Sequence, residues 1–199
     1  MRRACSGPSP VPSLPGSSFH ARDADEFATR YDVPVCLPRW MDRPTDELDA
    51  PVERYDAPAG EWSDVGESGF LVRTVDSPVV WREAVAYRPA DGTLRVPDLL
   101  SPLPAFRVGD ERLSCYFLHR LFPPRGTFAD VEPDRILFGH GEAVTEDATA
   151  ALESTLADSR RHLPRALVFQ APHQLRAAVS VLRDDFRSWR PFPVVSVTR

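Results

Sequence analysis

Asp91-Gly92 stands between two runs that read as strands, and it is a strong short-range signal of an antiparallel hairpin. An Asp-Gly pair adopts the positive φ angles of a tight turn with little strain. Before the turn, Trp81 to Tyr87 places Trp81, Glu83, Val85 and Tyr87 on one strand face. After it, Thr93-Leu94-Arg95-Val96 returns, followed by Pro97-Asp98-Leu99-Leu100. Gly69 to Val75 reads as a further strand from its β-branched and aromatic content.

Helical and extended patterns flank this hairpin. Ala21 to Tyr31 reads as a short helix with Asp23, Asp25 and Glu26 in its first half, where acids complement the helix dipole. Val33 to Leu37 suits a short strand, which Pro34 pushes toward a sheet edge. Pro38 to Gly60 has no strong period and reads as a long loop. Leu113, Phe117 and Leu121 fall at helical spacing within Glu111 to Leu121. Arg135 to Phe138 reads as a buried strand that Gly139-His140-Gly141-Glu142 breaks sharply. Thr145 suits the N-cap of a helix from Glu146 to His162, and Leu163-Pro164 interrupts it. A last helix is expected from Pro172 to Trp189, with Leu175, Val179, Leu182 and Phe186 on one face. Interleaved strands and helices indicate a mixed α/β domain over residues 20–199.

Residues 1–19 hold four Pro, two Gly and five Ser without any period, the composition of a disordered arm. Arg2 and Arg3 are not followed by the apolar segment of a secretory signal. No run approaches the ~18 apolar residues of a membrane span. All 24 basic residues are Arg against 29 acids, a net charge of −5. An acidic, Lys-free chain fits a GC-rich coding sequence or a salt-adapted cell, and it argues against nucleic-acid binding, which needs clustered cations. Three Cys without a CxxC argue against a disulfide framework or a Cys-rich zinc site, and favour reduced thiols in a cytoplasmic protein.

Three features offer chemistry, and each also has a plain structural reading. His140 sits between two glycines after a strand, as a metal or substrate ligand or as a polar turn residue. Asp98 closes the return strand, as a ligand or base or as a turn cap. His20 precedes Asp23 at the first helix, as a ligand or as a solvated helix start. Cys115 and His119, four apart on the expected helix, read as a core thiol and a surface imidazole rather than a nucleophile pair. Arg160-Arg161-His162 and Arg165 read as cations at a helix C-terminus rather than a phosphate site.

Taken in order, the helix start with His20, the Val-Pro-Val strand, the hairpin ending in Asp98, and Ile136-Leu137-Phe138-Gly139-His140-Gly141-Glu142 followed by a helix resemble the metallo-β-lactamase superfamily. The resemblance runs from about His20 to Leu163. It implies an αββα sandwich, incomplete at the N-terminus, and a site holding one or two zinc ions that activate water for hydrolysis of a small-molecule substrate. Asp98, His140 and His20 correspond to metal ligands of that family. Pro15, Ser17 and Phe19 stand where its first motif carries His, His and Asp, and Asp76 to Trp81 lacks the later His. The expectation is a relative of metal-dependent hydrolases that is metal-poor and weakly active or inactive; the alternative is a non-catalytic binding or scaffold domain.

Overall fold

The computed structural model describes residues 24–41, 48–65, 68–77 and 81–188. Its elements are α1 (Ala24–Tyr31), β1 (Val35–Pro38), β2 (Val52–Tyr55), β3 (Ser63–Asp64), β4 (Leu71–Ser77), β5 (Trp81–Arg88), β6 (Thr93–Val96), β7 (Leu100–Ser101), β8 (Ser114–Cys115), β9 (Arg135–Phe138) and α2 (Ala148–Ser188). His20 and the Pro/Ser-rich arm lie outside the described residues.

Strand alternation decides how these pieces stack. The main sheet has the order β3-β4-β5-β6-β9, antiparallel except for the parallel pair β6/β9. One face presents Val75, Val85, Leu94, Val96 and Ile136, which pack against Ala148, Ala151, Leu152 and Leu156 of α2. The opposite face presents Val72 and Ala86, which meet Cys36 of β1, Tyr55 of β2 and Val65. On the far side of β1, Val35 and Leu37 pack against Ala24 and Ala28 of α1. Burial of these side chains is worth about 1.5–3 kcal/mol for each large aliphatic one. The Asp25 carboxylate ties α1 down by accepting the backbone N–H groups of Asp49 and Ala50, at 3.1 and 2.8 Å.

The expected hairpin forms between β5 and β6. Arg88 pairs with Thr93, and Gly92 takes φ +61° at the end of a short 3-10 turn over Pro89–Asp91. Four expectations are corrected. The stretch from Pro38 to Gly60 contains β2, which pairs in parallel with β1. Glu111 to Leu121 is not one helix: Ser114–Cys115 pairs with β7, and only Phe117–Arg120 coils, as a 3-10 turn. Two buried strand residues beside Leu100 outweigh the helical spacing of Leu113 and Phe117. The expected pair of C-terminal helices is a single helix, Ala148–Ser188, that runs through Pro164 and Pro172. It starts at Ala148 rather than at Glu146: Asp147, with φ +49°, precedes it and its carbonyl accepts the Ala151 N–H at 2.9 Å. Cys36 is buried and disulfide-bonded, against the expectation of reduced thiols, whereas Cys115 is buried and free. Among the described residues, no helix is long and apolar enough to cross a membrane.

Candidate functional site

Two parallel strands put the candidate residues side by side. β6 and β9 run in register with Val96 opposite Phe138. The Gly139 N–H donates to the Pro97 carbonyl at 2.8 Å, extending the ladder one step past the strands. Asp98 and His140 each lie two residues beyond that last pair, so they emerge together at the carboxyl ends of β6 and β9, where ligands of parallel sheets bind. His140 Nε2 lies 3.9 Å from Asp98 Oδ1; the imidazole is 59% exposed and the carboxylate 14%.

Both glycines around His140 are required by space. A Cβ on Gly139 would sit 2.7 Å from the Pro97 carbonyl oxygen, a backbone atom that cannot swing away. Gly141 has φ +89°, and a Cβ there would meet Pro102 at 2.8 Å. Gly139→Ala is therefore expected to cost about 1–3 kcal/mol, as overpacking of a tight site does. Urea unfolding checks this; an unchanged midpoint would contradict the close approach.

A second layer holds Asp98 in place. Glu83 of β5 is fully buried, and its carboxylate accepts the backbone N–H groups of Asp98 and Leu99 at 3.1 and 3.0 Å. Arg95 of β6 is half-buried. Burial lowers the pKa of its guanidinium, while the charges of Glu83, Tyr55 and Asp98 work the other way. Tyr116 has its phenol pKa raised by burial and by Asp98. In the sequence Glu83 shows only as one residue of a strand face. Its signal was a carboxylate among the apolar residues of a central strand, where a charge persists only if paired or hydrogen-bonded.

Asp98 and His140 are thus brought together, and His20 lies outside the described residues. A catalytic zinc takes three protein ligands and keeps one open position. Asp98 and His140 would supply two, and the Glu83 carboxylate already accepts two N–H groups. Among the described residues no group of three His, Cys, Asp or Glu side chains is placed to hold a metal ion. These residues do not make a zinc site by themselves.

Cys115 and His119 make no nucleophile pair. Cys115 Sγ lies 3.1 Å from Ser159 Oγ in the core, and burial pushes its thiol pKa up to about 11, which leaves it inert. His119 is also buried, not on the surface as its sequence position suggested. Its neighbour Arg120 is fully buried and grips Glu111 with two bonds, Nη1 to Oε1 at 2.5 Å and Nη2 to Oε2 at 2.7 Å. Glu111 also accepts the Val108 N–H at 2.9 Å and lies 2.7 Å from His162 Nδ1 on α2. Burial alone would raise the Glu111 pKa; Arg120, Val108 and His162 together bring it below the ordinary value. This cluster clamps the segment before and after β8 onto α2. That segment in turn backs the Asp98 turn, since the Tyr116 N–H donates to the Leu99 carbonyl at 3.0 Å.

By sequence, the chain matches no protein-family model and no curated protein. By structure, its neighbours are metallo-β-lactamases. It is similar to a metallo-β-lactamase from Hirschia baltica with a TM-score of 0.50 at 12% identity, covering 76% of this chain and 69% of that one. A metallo-β-lactamase from Pontibacter korlensis follows at 0.46 and 17%, covering 75% and 71%. A β-lactamase domain protein from Burkholderia ambifaria stands at 0.43 and 15%, covering 83% and 64%. The first of these supports the fold: a mixed α/β architecture of the metallo-β-lactamase type.

Proposed function

We propose that this chain is a relative of metal-dependent hydrolases whose hydrolytic site is reduced to the Asp98–His140 pair, and that it has little or no hydrolase activity. The observation that carries this reading is the parallel register of β6 and β9, which sets the two side chains at the carboxyl end of the sheet with no third donor beside them among the described residues. A water-activating zinc centre needs that third donor to fix the ion and leave one position open. Two donors leave a cation weakly held, and no hydrolytic step is assigned here.

The test is a turnover screen of the purified chain, with zinc supplied, against a β-lactam, a thioester and a phosphodiester. The expected result is no turnover above that of Asp98→Ala and His140→Ala. Turnover that either substitution abolishes would overturn the proposal.

A further inference from the structure

We infer that the second half of α2 is a pairing helix, and that two copies of this chain associate through it. The first half of α2 faces its own domain: Ala148, Leu152, Thr155, Ser159 and Ala166 are buried, at the spacing of one helix side. That side ends at Ala166. Phe169, three residues on, is 66% exposed, and in the sequence the same spacing then gives Gln170, His173, Ser180 and Asp184. The apolar residues of the second half fall elsewhere. Leu175, Val179, Leu182 and Phe186 follow one another by four, three and four residues, and Val168, 72% exposed, precedes Leu175 by seven. At about 100° per residue this stripe lies on the side of α2 opposite to Ala166. The helix also outruns the domain. Its 41 residues span about 60 Å, whereas a globular domain of this chain length is about 40 Å across. What fits the stripe is a second helix with the same stripe. A seam repeating every seven residues is the pattern by which two helices interdigitate, and an identical copy presents the same patch about a two-fold axis. Charge permits the approach: residues 167–188 set Arg176, Arg183 and Arg187 against Asp184 and Asp185, close to balance, whereas the whole chain carries −5. The inference is independent of the reading of the Asp98–His140 corner.

Light scattering on the full chain as it leaves a sizing column, loaded at low and at high micromolar concentration, tests the inference with four proteins. The wild type is expected to reach twice the 22.2 kDa of one chain at the higher concentration. Leu175→Glu combined with Leu182→Glu puts two charges into the seam and is expected to give a monomer, with circular dichroism showing that it is folded. Ser180→Glu lies on the other side of the helix and is expected to leave the dimer intact. Leu182→Ala serves where the double variant does not fold, and is expected to weaken the dimer by at least about tenfold. The inference fails if the wild type shows any other mass at the higher concentration; a monomer would give the stripe to a different occupant. It fails equally if the seam variants associate as tightly as the wild type, or if Ser180→Glu dissociates the dimer as far as they do.

Discussion

Replacing Arg120 by Met is expected to remove about 3–5 kcal/mol of stability, the cost of stranding one partner of a buried ion pair. Arg120 is fully buried and Glu111 is 4% exposed at its side chain, so water cannot take over the lost bonds. The guanidinium makes both bonds to Glu111 and also donates to the Phe106 carbonyl at 2.9 Å. For a chain of this length the loss corresponds to a fall in Tm of roughly 10 °C. Pairing Arg120→Met with Glu111→Leu should recover part of the loss, since an apolar replacement of the whole pair leaves no orphaned charge. Thermal unfolding of the two variants reads both effects. A single variant as stable as the wild type would mean that the clamp between the β8 segment and α2 is held by packing alone.

Acid should weaken the native state through His119. Its imidazole is 1% exposed, and burial pushes its pKa from 6.5 down to about 4. Above pH 6.5 both the folded and unfolded chains hold it neutral, and it contributes nothing to the pH dependence. Between pH 6.5 and about 4 the unfolded chain binds a proton that the native chain refuses, so stability falls as pH falls. The total comes to about 3 kcal/mol, from 1.36 kcal/mol per pKa unit. Below about pH 4 this loss is complete. His119→Leu keeps an apolar side chain of similar size and removes the titration. Its stability curve from urea unfolding should be flatter than that of the wild type across this window. Parallel curves for the two proteins would contradict the assignment.

What the sequence made legible was local pattern and strand ends. Asp91-Gly92 announced the β5–β6 hairpin through Gly92, which takes the positive φ, although the connection is a 3-10 turn over Pro89–Asp91 rather than a two-residue turn. The break at Gly139-His140-Gly141 announced the end of β9, because those glycines answer to space that only a missing Cβ provides. Asp98 and His140 could be singled out in the same way, each at the end of its strand. Long-range pairing was not legible. Nothing in Val52–Tyr55, with Glu53 and Arg54 at its centre, marks it as a parallel partner for β1; the pairing is fixed by Tyr55 reaching the core beside Cys36. Ser114–Cys115 is too short to show a period of two, so the helical spacing around it prevailed in the reading. Pro164 suggested a helix end, yet α2 continues, with Ala166 fully buried just beyond it. Glu83 was hidden for a different reason: its role as a clamp on the Asp98 turn depends on which backbone N–H groups lie across the sheet.

The Asp98–His140 corner is expected to stand without a metal ion, with the Glu83 carboxylate holding the Asp98 turn. The direct test is the zinc content of the purified, gel-filtered chain by elemental analysis, with circular dichroism to show that it is folded. The account predicts a folded chain carrying well under one zinc. One or two zinc per folded chain, the load of a catalytic site, would contradict it and would mean that Asp98 and His140 are joined by ligands from outside the described residues.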